Sequence, residues 1–171
     1  MSVFDSLSQE HVLLLKLVGR LERAAAEKDS RASARETRNI LLVMFKALEA
    51  HAQLEHMIYD KSLELPSAAA YKALAGVERQ HKALSALRDE ASALLTIITP
   101  EGGESLRALA VRLAQLLRGL IEDEERKLWP SFNAYAGRST LHRLSKQARK
   151  QYLAMERDVN RYWAEVESYM T

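Results

Sequence analysis

The chain has 171 residues, of which 47% are apolar, and a formal net charge of +2, so it can bury one sizeable core and has little electrostatic reason to bind nucleic acid or a membrane. It contains no cysteine, which excludes disulfides, thiolate metal ligands and cysteine nucleophiles. With only six glycines and three prolines, long uninterrupted helices are the expected structure.

Apolar residues at helical spacing predict five helices, and strand patterns are nearly absent. Pro66 and Pro130 are expected to end helices 2 and 4, because proline disfavours a helical residue before it. A loop is expected at residues 99–103, where proline and two glycines cluster. The predicted bounds, in chain order, are 5–28, 32–63, 67–98, 104–129 and 140–169.

Short connections between the first four helices predict antiparallel neighbours, and therefore an all-α, up-down-up-down four-helix bundle over residues 5–130. The fifth helix, residues 140–169, is an addition within the same single domain, residues 1–171. Its apolar stripe must be buried either on the bundle or on a second copy of the chain, so a homo-oligomer formed through this helix is one alternative. The chain has no signal-peptide or membrane-spanning pattern, so we expect a cytoplasmic protein with neither a nucleic-acid nor a membrane partner.

Two polar residues interrupt the apolar stripe of helix 2. His51 and Glu55 stand where the spacing calls for apolar side chains, between Leu48 and Ile58. Burying such a pair is costly unless a partner satisfies its polar atoms. A histidine and a glutamate four residues apart share one helix face, so both can reach the same metal ion.

An internal repeat relates the first helical hairpin to the second at an offset of 70 residues. His11 corresponds to His81, Glu55 to Glu125 and Tyr59 to Trp129. His51, however, corresponds to Ile121. A repeat of this size indicates a pseudo-twofold bundle, in which equivalent residues meet near the axis.

The repeated polar residues are predicted to lie at one height in the bundle, because at about 1.5 Å per residue they are similarly distant from the turns. Three imidazoles and two carboxylates buried in one layer are costly without a cation. Histidine and carboxylate ligands without thiolate suit iron, manganese or zinc, and helical bundles often hold two such metals bridged by carboxylates. The predicted ligands are His11, His51, Glu55, His81 and Glu125.

These segments resemble the hemerythrin-like, HHE-type cation-binding domains over helices 1 to 4. The resemblance rests on four segments in the same order as in that family: Glu10-His11, His51-x-x-x-Glu55-x-x-Ile58-Tyr59, Gln80-His81 and Glu125-x-x-Leu128-Trp129-Pro130. It implies a non-haem di-iron centre with terminal histidines and bridging carboxylates. It also implies a small diatomic ligand, dioxygen or nitric oxide, or a response to iron itself.

Helix 4 departs from the family pattern, because Ile121 stands where a histidine is expected and isoleucine cannot bind a metal. The first half of the site therefore keeps its ligands while the second half loses one. Glu78, three residues before His81, and Glu124 are candidate substitutes. The sequence leaves open a tight site beside a weak or empty one, or a di-iron site richer in carboxylates.

The leading interpretation is a non-enzymatic protein that binds iron, with zinc or manganese as alternative metals. A second interpretation is a degenerate bundle that holds one metal or none and serves as an interaction or oligomerisation module. A third is a ferritin-like iron oxidase, which would need both Glu78 and Glu124 as additional ligands.

Overall fold

The computed structural model describes residues 2–27, 31–59, 67–96, 100–135 and 138–168, and nearly all of them are helical. No strand occurs in these ranges, which confirms the all-α prediction. Within the same ranges, no helix is both long and apolar enough to cross a membrane. The elements are α1 (Val3–Ala26), α2 (Arg31–Tyr59), α3 (Ala68–Leu94), α4 (Pro100–Asp123), a π-helical segment (Glu124–Leu128), α5 (Trp129–Tyr135) and α6 (Arg138–Ser168).

The helix starts follow local capping chemistry. Ser2 caps α1 in a capping box with Asp5, and Ser67 caps α3 by accepting the N–H of Ala70. The loop predicted at residues 99–103 is wrong from Pro100 onward, because α4 begins at that proline. A proline in the first helical position has no unsatisfied N–H and already has a helical φ. Thr99 and Pro66 lie outside the described residues.

The prediction that Pro130 ends the fourth helix is also wrong. The chain passes from α4 through the π-helical segment into α5, which runs from Trp129 to Tyr135. Pro130 directly follows the π turn, so its missing N–H falls where the regular pattern of hydrogen bonds between residues four apart is already interrupted.

Ion pairs along the bundle show that neighbouring helices are antiparallel. Between α1 and α2, Glu10 pairs with His51 and Arg20 with Glu36, so numbers rise on one helix as they fall on the other. Between α3 and α4, Gln80 contacts Asp123 and Glu90 pairs with Arg112, which gives the same result. The additional helix α6 packs on α1 and α2 and buries its apolar stripe there. Between Leu144 and Val159, the stripe is therefore covered within the chain. Its buried residues are Leu144, Ala148, Met155 and Val159.

The hydrophobic core falls into two clusters, one on each side of a polar layer. On α1, Leu7 belongs to one cluster and Leu14 to the other, with His11 between them. On α2, Leu54 and Ala47 flank His51 in the same way. The bundle therefore places its buried histidines and glutamates together, in a layer closed above and below by apolar side chains.

Candidate metal centre

Four buried side chains meet in the polar layer: His11 from α1, His51 and Glu55 from α2, and Glu124 from the π-helical segment. Each offers one potential ligand atom, and these atoms all lie within 4.8 Å of one another. None of the four residues is more than 2% exposed. The layer is thus a compact, dry group of nitrogen and oxygen donors.

The two histidines face each other through the same ring nitrogen. Nε2 of His11 lies 3.3 Å from Nε2 of His51. The opposite edges of the rings are held by carboxylates: Nδ1–H of His51 donates to Glu10 at 2.7 Å, and Nδ1–H of His11 donates to Glu125 at 2.9 Å. With their Nδ1 protons engaged in this way, both imidazoles present Nε2 to the centre of the layer.

The two central carboxylates each span from this histidine pair to His81 on α3. Glu55 places Oε1 3.5 Å from Nε2 of His51 and Oε2 3.2 Å from Nε2 of His81. Glu124 places Oε2 3.1 Å from Nε2 of His11 and Oε1 3.2 Å from Nε2 of His81. Each carboxylate therefore has one oxygen toward either side of the layer.

Two of these carboxylate oxygens are better placed to bind a cation than to accept a hydrogen bond. Oε2 of Glu55 and Oε2 of Glu124 are buried and accept no well-oriented hydrogen bond from the described residues, although imidazole nitrogens lie close to both. A buried carboxylate oxygen without a donor is costly. A metal ion between the imidazoles and carboxylates would satisfy both oxygens, so the donor set fits a bound cation.

The two central histidines have opposite pKa shifts. Burial, together with the neighbouring His51, lowers the pKa of His11 to about 3. Burial also acts to lower the pKa of His51, but the charge of Glu55 and the hydrogen bond to Glu10 outweigh burial and raise it well above its ordinary value. In the metal-free protein, His51 is therefore the more basic of the two rings.

Protons also occupy the His81 side of the layer. Burial acts to lower the pKa of His81, but its hydrogen bond with Glu124 and the nearby carboxylate of Glu55 outweigh this effect and raise the pKa to about 9. Burial and the charge of Glu55 raise the pKa of Glu124 to about 8. Burial likewise acts to raise the pKa of Glu55, but the charge of His51 and its hydrogen bond hold that pKa well below its usual range. A cation entering the layer must displace protons from it.

Two aromatic residues close one end of the layer and hold its side chains. The hydroxyl of Tyr59 donates to Oε1 of Glu55 at 3.0 Å, and Nε1–H of Trp129 donates to Tyr59 at 3.4 Å. The indole of Trp129 also stacks on His11, with ring centroids 4.8 Å apart. Tyr59 and Trp129, which correspond to each other in the 70-residue repeat, thus pack in the core and also supply a hydrogen bond to the site.

The structure brings together most of the residues singled out from the sequence. Four of the predicted ligands converge in the layer: His11, His51, Glu55 and His81. Glu124 lies with them and is buried, as are His11, His51 and Glu55, whereas His81 is half-buried. Glu125, the other predicted ligand, lies on the Nδ1 edge of His11 with its side chain 41% exposed. Glu78 is exposed on α3 and is outside the buried group, and Glu10 is a contact that the ligand prediction did not include.

The π-helical segment explains why Glu124 rather than Glu125 faces the layer. The N–H of Trp129 donates to the carbonyl of Glu124, five residues earlier. Glu124 and Trp129 therefore lie on the same face, as do Glu55 and Tyr59, which are only four residues apart on α2. The π turn accommodates one extra residue. The offset of 70 residues therefore holds for Tyr59 and Trp129, after the turn, and is one residue shorter for Glu55 and Glu124, before it.

This shorter offset changes the residue that corresponds to His51. The equivalent position is Leu120, four residues before Glu124, and not Ile121 as the uniform 70-residue offset implied. Leu120 is buried in the same apolar cluster as Val77, which precedes His81 by one helical turn on α3. The layer therefore has an aliphatic side chain where a fourth histidine would complete its symmetry.

A comparison with protein families finds a match between residues 2–132 and the model described as the Hemerythrin HHE cation binding domain. The matched range contains every side chain of the layer, whereas α6 follows it. Neither the comparison with curated proteins nor that with solved structures finds a match.

Proposed function

Since this chain belongs to the hemerythrin HHE cation-binding family, we propose that it holds non-haem iron in the polar layer and thereby binds or senses dioxygen, nitric oxide or iron itself. The observation that carries the proposal is the buried group of two imidazoles and two carboxylates with ligand atoms within 4.8 Å of one another. A group of this kind, in which one oxygen of each carboxylate accepts no hydrogen bond from the part of the chain that the structure describes, is costly in a core without a cation.

The donors favour iron among the metals that the sequence leaves open. Imidazole nitrogen and carboxylate oxygen together suit iron, manganese and zinc. Carboxylates that span between two histidine groups are typical of the di-iron sites of helical bundles. Glu55 and Glu124 both span the layer in this way. We therefore place iron first, with zinc and manganese as the alternatives.

We propose two metal positions of unequal strength. His11 and His51, with one oxygen each from Glu55 and Glu124, would hold the first. His81, with the other oxygens of those carboxylates, would hold the second. The second position has one imidazole instead of two, because Leu120 supplies no ligand. This asymmetry favours a tight position beside a weaker one.

The weaker position is also the one that solvent reaches. His81 is 28% exposed, whereas His11 and His51 are at most 2% exposed. Iron bound in the layer would supply a redox-active centre with affinity for dioxygen and nitric oxide. A small diatomic ligand would therefore enter beside His81, while the apolar clusters exclude water from the histidine pair.

The other two interpretations have less support. An oxidase site richer in carboxylates requires Glu78, which is exposed and outside the buried group. A module for interaction through the additional helix requires a free apolar stripe, whereas the stripe of α6 is buried on α1 and α2 over residues 144–159, where its side chains are described. A metal-binding role that is not enzymatic remains the proposal that these contacts support best.

The proposal can be tested by absorption spectroscopy. The metal-free protein is loaded anaerobically with ferrous iron and then exposed to dioxygen or nitric oxide. We expect new charge-transfer bands in the near-ultraviolet and visible range, lost in His51→Ala and retained in the matched control His56→Ala, whose histidine is exposed on the same helix. A protein that binds iron without a spectral response to either gas would contradict the sensing role, and one that binds no metal would contradict the whole proposal.

A further inference from the structure

We propose that Glu10 is a positioning residue of the centre, which fixes the ring of His51 so that Nε2 is the nitrogen available to a metal ion. The inference rests on the proposed metal binding and adds a residue that is not itself a ligand. It concerns the edge of the imidazole that faces away from the layer.

The contact between Glu10 and His51 is short and buried. Oε2 of Glu10 accepts Nδ1–H of His51 at 2.7 Å, with the two side chains 0% and 2% exposed. An imidazole whose Nδ1 donates to a carboxylate has a fixed ring orientation, and its other nitrogen is left to bind metal. The same hydrogen bond makes that nitrogen a stronger electron donor.

The hydrogen bond also links two helices at the level of the centre. Glu10 lies on α1 beside His11, whereas His51 lies on α2. Helix α1 therefore supplies one proposed ligand and also holds the proposed ligand of its neighbour. This arrangement fixes the rotation of α1 against α2 at the point where both imidazoles must point inward.

A role in packing alone does not account for this carboxylate. Glu10 is fully buried, and its second oxygen, Oε1, accepts no hydrogen bond from the described residues. An apolar side chain of similar volume would fill the space without the cost of burying a charge. The hydrogen bond that the Glu10 carboxylate makes is with His51, which points to a function in orienting the ring.

The additional helix keeps water away from this contact. Helix α6 packs on α1 and α2, and Gln151 donates a hydrogen bond to the carbonyl of Ala50, directly before His51. A hydrogen bond shielded from water is stronger than one in contact with it, so α6 strengthens the hold of Glu10 on His51.

An internal comparison predicts the size of the effect. Glu125 makes the same contact with Nδ1 of His11, but its side chain is 41% exposed. Solvent weakens such a contact. Replacement of Glu10 should therefore weaken metal binding more than replacement of Glu125, although each carboxylate holds one histidine.

The first test measures zinc affinity by competition with a chelator in Glu10→Gln, Glu125→Gln and the control Ser6→Ala. Ser6 is buried on the same helix one turn before Glu10, and its hydroxyl has no partner among the described residues. We expect Glu10→Gln to weaken zinc binding by about 10- to 100-fold, Glu125→Gln to weaken it less, and Ser6→Ala to leave it unchanged. A folded Glu10→Gln variant with wild-type affinity would overturn the proposal.

The second test uses the wild-type protein, so it remains decisive if Glu10→Gln does not fold. Nitrogen-15 NMR of the imidazole rings reports which nitrogen of His51 carries a proton. We expect a proton on Nδ1 both without metal and with zinc bound, and an Nδ1 without a proton in either state would overturn the proposal. Because the metal-free spectrum needs no zinc, a protein that fails to bind metal would contradict the proposed function while leaving the assignment of Glu10 testable.

Discussion

Oε2 of Glu124 lies 3.1 Å from Nε2 of His11, while Oε1 of the next residue, Glu125, lies 2.9 Å from Nδ1 of the same ring. Two consecutive glutamates thus contact one imidazole from opposite edges. Only Glu124 is on the side of the buried layer, and only Glu124 also contacts His81. The two residues are therefore expected to contribute differently to metal binding.

Replacing Glu124 by alanine should abolish tight metal binding, because it removes oxygens from both sides of the layer. We expect zinc affinity to fall on the order of 100-fold or more, beyond the usual effect of a residue that only orients a ligand. Glu125→Ala should cost about tenfold or less, since its side chain is partly solvated. Chelator competition measures both variants, and a larger loss for Glu125→Ala would show that Glu125 is the ligand.

Leu120→His should strengthen the weaker metal position. Residue 120 precedes Glu124 by four residues, as His51 precedes Glu55, so the new imidazole would lie on the face that carries the carboxylate. Ile121→His is the matched control, because it adds a histidine one position away. Calorimetric titration with ferrous iron should show two more nearly equal sites in Leu120→His only. Two nearly equal sites in Ile121→His would instead show that residue 121, and not residue 120, corresponds to His51.

Deleting Arg126 should convert the π-helical segment to a regular α-helix without loss of the site. The deletion leaves Glu124 and Trp129 four residues apart, the spacing of Glu55 and Tyr59. Arg126 has a side chain that is 75% exposed and pairs with Glu122 at the surface, a contact worth less than about 1 kcal/mol. We expect metal binding to persist and the melting temperature to fall, because Pro130 would then lie inside a regular α-helix, where proline costs about 3 kcal/mol. A folded variant that no longer binds metal would show that the π turn itself orients Glu124.

Metal affinity should rise with pH. The pKa of His81 is raised to about 9, that of Glu124 to about 8 and that of His51 well above its ordinary value, so these groups bind protons at neutral pH that a cation must displace. Between pH 6 and 8 the apparent affinity should increase about tenfold per pH unit for each displaced proton. Chelator competition at several pH values measures this slope, and an affinity that falls or stays constant over that range would contradict the protonation pattern.

The same pKa shifts affect the metal-free fold. Because the pKa of His81 is raised on folding, its contribution to the free energy of unfolding is complete below about pH 6.5 and is lost as the pH passes 9. The raised pKa of Glu124 acts in the same direction, since ionising a buried carboxyl costs stability. Both shifts describe the metal-free state, in which protons occupy the layer.

The sequence predicts the helices and most of the layer, because both follow from regular periodicity. His11, His51, Glu55 and His81 could be found because polar residues in an apolar stripe are conspicuous and recur at a fixed offset. A repeat offset of 70 residues throughout makes Glu125, and not Glu124, the equivalent of Glu55. The π turn breaks this uniform offset. The apolar stripe of α4 does indicate Glu124, because this residue continues the spacing of three or four residues between the buried leucines Leu113, Leu117 and Leu120.

The position of α6 and the role of Glu10 could not be read from periodicity. An apolar stripe shows that a helix is buried on one side, but not whether the partner surface belongs to the same chain. The contact of Glu10 with His51 joins residues from two helices, and it depends on how α1 is rotated against α2. Packing of complete side chains sets that rotation, which no spacing rule contains.

The most direct test of the central claim is the metal content per chain after reconstitution with iron, measured by elemental analysis in the wild type and in His51→Ala. We expect close to two iron atoms per wild-type chain at saturation, bound in a tight and a weaker step, with the tight step lost in His51→Ala. A wild-type chain that retains no metal, and whose melting temperature is unaffected by chelator, would contradict the claim that the polar layer is a metal centre.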